Sequence, residues 1–312
     1  MNVKRFLLAV SICVLTVFSL FSCSSDFDDT QYAVVSENNV SETGLIYSIY
    51  ENNTAVITGA KTTSDELSIP DTIGEYDVVE IGKGAFSNNT DIKLLTVGKN
   101  VSKICDSAFS SCSELLRVDL SNSVKVIEAS AFYDCTNLRE VIGTGAVTTI
   151  GDVAFYACRF LTKFEFSDEL KTIGEESFGA CEALVEIALP KKIESIGPAA
   201  FSYCSALTKV DLGGLNKIPE KAFLRCSALE NVTLGKKVDS VGNQAFRACE
   251  NLKNLYIHKN VLKIGNSAFA SCPKLEIFYS GSKAEWAKII IDINSNELSS
   301  IKINYGHKIE KD

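Results

Sequence analysis

The chain has 312 residues, 31 Lys+Arg against 39 Asp+Glu, a formal net charge of -8 and 46% hydrophobic residues. That length holds one large domain or two ordinary ones, and the acidic balance disfavours nucleic acid, whose affinity comes from Lys and Arg neutralising phosphates. Two histidines and one tryptophan leave little material for general acid–base chemistry.

The chain opens with the basic "MNVKR", the uncharged apolar run "FLLAVSICVLTVFSLF" and small residues around Cys23. This is the pattern of a cleaved secretory signal, and the run is shorter than the roughly 20 residues a membrane-spanning helix needs. "LFSC" resembles a bacterial lipoprotein signal, which implies residues 1–22 as signal peptide and Cys23 as the lipid-attachment residue. Loss of Lys4 and Arg5 with that segment moves the net charge from -8 to -10. Residues 23–43, polar and without usable periodicity, read as a flexible acidic tether spanning roughly 25 Å. Its cluster Asp26, Asp28 and Asp29 resembles the export tag of surface-exposed lipoproteins in Bacteroides-type bacteria.

Residues 44–80 read as an N-terminal cap and a degenerate repeat. "GLIYSIYENNTAVITGA" predicts two strands about a polar turn, and "LSIPDTIGEYDVVEI" a first, imperfect unit. From residue 81 to 281 one phrase recurs. Phe86, Phe109, Phe132, Phe155, Phe178, Phe201, Phe223, Phe246 and Phe269 follow one another at 23 residues, with one interval of 22. Three residues after each stands Cys112, Cys135, Cys158, Cys181, Cys204, Cys226, Cys249 or Cys272, with Asn89 in the first unit. The shared template is I-G-x-x-A-F-x-x-C-x-x-L-x-x-V-x-L-x-x-x-V-x-x-I, the period and spacing of a leucine-rich repeat.

Within a unit, Val118 and Leu120 alternate with Arg117 and Asp119, as on a short strand. Ala131, Cys135 and Leu138 recur at three- and four-residue spacing and predict a helical return. Each unit hides its apolar edge only by stacking on its copies. The expected fold is therefore an α/β leucine-rich repeat solenoid of about nine 23-residue repeats, with an N-terminal β-hairpin cap and a C-terminal helix/strand cap over residues 282–312. In that cap Ser282 is expected to start a helix carrying Trp286, followed by the strand "SSIKINYG".

Stacking puts the cysteines in one file. Parallel side chains keep Cβ atoms about 4.8 Å apart, outside the disulfide window, and a straight file is not the tetrahedral convergence zinc needs. The thiols are expected to be free and buried, with neither metal nor cofactor. Gly82, Gly151, Gly174, Gly197, Gly242 and Gly265 are expected to mark a turn of positive φ. Cys105 replaces that glycine in one unit and is expected to be more accessible. Gly143 should weaken packing in its coil, and the 22-residue interval at "GGLNKI" should change curvature locally.

"LxIPxxI" at Leu67–Ile73, the repeated "IGxxAFxxCxxL" and the closing "YSGSKAEW" resemble the BspA-like leucine-rich repeat proteins, surface antigens and lipoproteins of host-associated anaerobes. The resemblance covers roughly residues 45–305. It implies a right-handed solenoid that displays a binding surface, adhesion to host extracellular-matrix or plasma proteins such as fibronectin and fibrinogen, coaggregation with other bacteria, and no catalytic residues. It places the chain at the outer membrane, facing outward.

The outward columns carry whatever recognition there is. One reads Leu94, Arg117, Glu140, Lys163, Glu186, Lys209, Asn231, Asn254 and Ile277, and its middle is expected to be a ladder of cross-strand charge pairs. The other runs from Thr96 and Asp119 to Thr233, Tyr256 and Tyr279. Loss of charge and gain of amide and aromatic side chains make Asn231, Asn254, Tyr256, His258 and Tyr279 the candidate binding face, for a protein or a glycan. An envelope scaffold or glycan-capture subunit is the alternative. Catalysis is disfavoured by the absence of HExxH, GxSxG and phosphate-loop motifs.

Overall fold

The computed structural model describes residues 32–292 and 296–309. The signal segment, Cys23 and the Asp26–Asp29 stretch lie outside the described residues. The chain is a solenoid of coils related by parallel strand pairing at the repeat period. One face is built from short strands that include Leu94–Thr96, Arg117–Asp119, Glu140–Ile142, Asn254–Ile257, Glu276–Tyr279 and Lys302–Tyr305. A second face is built from two-residue strands such as Lys103–Ile104, Val126–Ile127 and Thr149–Ile150. The second sheet begins with the expected antiparallel hairpin, Leu45–Tyr50 with Thr54–Ala60. Val34–Val40, expected in the tether, adds a further antiparallel strand to it.

The third face corrects the helical return. Among the described residues the repeats hold no α-helix, and the fold is mostly β rather than α/β. Two residues per coil, two before and two after the phenylalanine, have left-handed backbone: Ser107 and Ser111 around Phe109 (φ 58° and 59°), Ser130 and Asp134 around Phe132 (56° and 54°). A helix cannot continue through such residues. The alternation divides the donors. Ser107, Phe109 and Ser111 donate their N–H groups to Ala129, Ala131 and Tyr133 of the next coil at 2.7–3.0 Å, while Ala108, Ser110 and Cys112 donate three residues back within their own coil. The turn face is thus a third hydrogen-bonded ladder, which satisfies buried peptide groups that a packed core cannot leave bare.

Inside, the phenylalanines form a continuous stack, with centroids 5.2–6.0 Å apart and planes within 14° of parallel. Burial of each ring contributes about 1.5–3 kcal/mol, and offset stacking adds to it. The cysteine file beside them is reduced and buried. Every thiol in it donates to the carbonyl of the preceding coil's phenylalanine, from Cys112 on Phe86 (3.2 Å) to Cys272 on Phe246 (3.0 Å). That carbonyl also accepts a backbone N–H: Phe109 O takes Cys112 N and Cys135 Sγ. Cysteine therefore supplies small volume and a weak donor for a second lone pair.

The glycines before the turn face do not have positive φ, contrary to expectation. They are required by close approach: a Cβ on Gly151, Gly174, Gly197 or Gly242 would lie 2.3–2.5 Å from backbone nitrogen or side-chain oxygen of the coil before. Cys105, at the same position, is buried rather than accessible, with its Sγ 3.4 Å from Glu80 Oε2. Glu80 in turn holds Lys103 at 3.1 Å.

The strand face is interrupted twice. One break follows Lys163–Phe164, the coil after Gly143. There Phe164 and Phe166 lie 4.9 Å apart and meet Phe178 edge-on, crowding the core beside the glycine. The other falls between Lys209–Asp211 and Asn231–Thr233, and the second sheet breaks in step between Ser195–Ile196 and Lys217–Ile218. This is the short "GGLNKI" interval, where a Cβ on Gly214 would come within 2.2 Å of Lys191 O.

Two stability predictions follow from these ladders. Burial pushes Cys158, Cys181, Cys226 and Cys249 up and takes Cys204 to about 12. Raised folded values mean stability is complete below the unfolded thiol range near 8.5 and is lost as pH climbs from there. Urea midpoints should fall from pH 8 to pH 10, by up to about 1.4 kcal/mol per pH unit for each thiol involved. In the native chain at pH 8 mass spectrometry should find these thiols unalkylated, and all of them alkylated after denaturation. Val153 is β-branched yet left-handed at φ 49°. Val153→Asn should therefore raise stability by about 1 kcal/mol in urea titration; a loss would contradict the strain.

Candidate functional site

The outward side chains of the strand face form register columns. Arg117 pairs with Glu140 at 3.4 Å across the first part of the sheet, and Lys209 with Glu186 across the second. The expected ladder is not continuous. Lys163 turns to Glu165 in its own coil, next to the break that separates it from Glu186. These pairs are about half exposed or more, so solvent screens them and they add little to stability.

Past the second break the chemistry changes. Asn254 Nδ2 donates to Asn231 Oδ1 at 2.6 Å, carrying the column across in amides. Glu276 follows in register with Asn254, and Lys302 with Glu276. Glu276 accepts from Lys302 at 2.8 Å and from Asn304 at 3.2 Å, and these hydrogen bonds hold its carboxyl below the ordinary range. In the neighbouring column Tyr256 stacks on Phe278 with centroids 5.0 Å apart. The His307 ring closes over both, 5.4 Å from Tyr256 and 5.1 Å from Phe278. All three are half-buried.

Three of the five candidate residues are where the columns place them, one lies past the end of its strand, and one is turned into the core. Asn231, Asn254 and Tyr256 stand on the outward face. His258 lies just past the strand, half-buried, with its Nδ1 out of contact with solvent. Tyr279 is a correction: it is 1% exposed, points into the core and meets Trp286 edge-on at 5.1 Å. The closing coil is one residue short between Leu275 and Ile277, so Ile277 and Tyr279 turn inward and Phe278 turns out. Trp286 is itself buried, on the short helix Lys283–Trp286 that Ser282 starts with a capping box. Phe278 and His307 were therefore missed. The step from Leu275 to Ile277, two residues against three from Leu252 to Leu255 in the unit before, is the signal that could have found Phe278.

Two surface depressions, of about 510 and 480 Å³, lie at the N-terminal end and over the second sheet, and neither includes this cluster. Among the described residues no group of His, Cys, Asp and Glu is placed to hold a metal ion, and no helix is long and apolar enough to cross a membrane.

A family model for the BspA type leucine-rich repeat region matches residues 60–161 and 148–276, in six copies. The chain belongs to this family. Its members are generally surface-associated, and leucine-rich repeat folds typically act as binding scaffolds without catalysis. The chain is similar in fold to a leucine-rich repeat protein from Bacteroides ovatus, with 24% identity, a TM-score of 0.63, and 84% of this chain and 77% of that one covered. It is similar also to the pneumococcal vaccine antigen PcpA, at 21% identity and TM-score 0.54 over 78% of this chain and 70% of that one. The T. pallidum leucine-rich repeat protein TpLRR gives 23% identity and TM-score 0.52 over 69% and 90%. No curated protein matches.

The inward Tyr279 yields a direct check. Tyr279→Ala should cost about 3–5 kcal/mol in urea unfolding, the cost of truncating a large buried aromatic. Tyr256→Ala should cost under about 1.5 kcal/mol, since its ring is shared with solvent.

Proposed function

We propose that this chain is a surface-anchored binding module that recognises an extracellular host protein with the C-terminal end of its strand face. The observation that carries the reading is the cluster of Tyr256, Phe278 and His307, three rings held in contact on the outward side of the strand face. Rigid aromatic side chains lose little entropy when a partner covers them, and they dominate the energetics of protein contacts. The paired amides Asn231 and Asn254 and the Glu276–Lys302 pair supply a polar rim. Anchoring is through Cys23, supported by the basic start, the apolar run and the "LFSC" pattern. A lipidated, acidic-tethered module of this family belongs at the outer membrane, facing outward, in the manner of an adhesin for matrix or plasma proteins.

The reading is of binding without catalysis. His307 is engaged as a ring surface against Tyr256 and Phe278, and the Nδ1 of His258 is buried.

Cells displaying the full chain should bind immobilised fibronectin or fibrinogen. Tyr256→Ser with Phe278→Ser should weaken that binding at least tenfold, a change of about 1.4 kcal/mol or more, while leaving display unchanged. Undiminished binding by the double variant, or cross-linking that recovers only envelope proteins, would overturn the reading.

A further inference from the structure

Net charge reverses along the solenoid axis. Residues 32–230 carry 17 Lys+Arg against 28 Asp+Glu, a net -11, whereas residues 231–309 carry 11 against 6, a net +5. The reversal coincides with the second break of the strand face. Coils follow one another along the axis, so a chain that is acidic as a whole presents a basic end.

Four of its cations stand on the corner where the strand face turns into the second sheet. Lys237 follows the strand Asn231–Thr233, Lys259 follows Asn254–Ile257, and Lys283 and Lys288 lie on and just past the helix after Glu276–Tyr279. All four are exposed, and among the described residues none of them forms an ion pair. The three corners are tied together. Asn260 Nδ2 donates to Lys236 O at 2.9 Å, and Lys259 N to Ser280 Oγ at 2.9 Å. The carboxylates of these segments are engaged locally: Asp239 accepts from Ser240 Oγ at 2.7 Å, and Glu285, within electrostatic reach of Lys259 and Lys288, accepts from Ser282 Oγ at 2.8 Å. Upstream the same corner carries Asn122, Gly145, then Asp168 and Glu169, and Lys192 is taken up by Glu169 at 2.5 Å.

The chemistry of the corner selects among anionic partners. Its cations are lysines, compact point charges on flexible stems, without the planar fork with which arginine clamps a single carboxylate or phosphate. Tyr279 and Trp286 are buried, which denies nucleic-acid bases a platform to stack on. Arginine and exposed rings are also what anchor protein contacts, and the corner offers neither. What it offers is four separate positive charges over two coil steps, about 10 Å of axis. A linear chain of high charge density meets that arrangement. Sulfate esters on successive sugars supply such density, and they stay ionised at every pH the protein meets.

We infer that this corner is a binding site for a sulfated polysaccharide, running along the solenoid axis across Lys237, Lys259, Lys283 and Lys288. The inference does not rest on the protein-binding reading of the strand face. Surface plasmon resonance of the full chain on immobilised heparin, with fully desulfated heparin and single-stranded DNA of equal length as comparisons, tests it. Heparin should bind, and added salt should weaken it, since exposed charges are screened. Lys237→Gln, Lys259→Gln, Lys283→Gln and Lys288→Gln together should weaken binding by about tenfold or more. The same loss of charge upstream, from Lys99→Gln, Lys125→Gln, Lys171→Gln and Lys191→Gln, should change it by under about twofold. Tyr256→Ser with Phe278→Ser should leave it intact. No binding to heparin, equal binding to the desulfated chain or to DNA, or equal effects of the two lysine sets would overturn the inference.

Discussion

Every coil of this protein must dispose of the peptide groups on its turn face, and that requirement organises the rest. A segment of three- and four-residue apolar spacing could have satisfied them as a helix. Instead two left-handed residues per coil send alternate N–H groups to the next coil, at 2.7–3.0 Å, and the others back within their own. The coil is thereby bonded to its neighbours on three faces rather than two. Because the donors at the phenylalanine position itself run between coils, the phenylalanine rings are locked at the ladder spacing and stack nearly parallel. The thiols complete the same geometry from the side, each occupying a lone pair on a carbonyl that the ladder leaves half-satisfied.

That arrangement explains why side chains in the turn are small or flexible. A left-handed position favours glycine or asparagine and penalises β-branching. The occupants two residues before the phenylalanine include Gly84, Ser107, Ser130 and Ser267, with Val153 the exception. The neighbouring glycines answer a different demand. They admit the backbone of one coil against the next at distances no Cβ tolerates. The first constraint recurs in every coil, the second only where glycine stands, since Cys105, Glu128 and Pro219 occupy the same position with a Cβ.

The repeat period, the stacked core, the buried cysteine file and the hairpin cap were all legible in the sequence, because each is written many times or in local turn chemistry. The handedness of the turn residues was not. Ala131, Cys135 and Leu138 fit a helix face as well as they fit a looping turn, and serine or alanine at φ near 57° carries no marker in its name. The recognition face was legible as columns but not at its last step. A one-residue deletion before Ile277 exchanges the two sides of a strand, since side chains alternate with period two. Tyr279 and Phe278 thereby traded roles, and His307, which arrives from the coil after, has no sequence link to the column it covers.

The two interruptions of the strand face bear on how such a surface diversifies. Up to the second break the outward columns hold charges that pair across adjacent strands, and they are largely self-neutralising. Beyond it the register continues and amides and rings join a single charge pair, Glu276 with Lys302. Since the core beneath is unchanged, with Phe223, Phe246 and Phe269 stacked as elsewhere, the outward residues are free of the constraint that fixes the inward ones. A repeat protein can therefore alter its recognition surface coil by coil at little cost to stability. The second lapse in strand pairing, at Gly213–Gly214, is where one block of surface chemistry ends and another begins.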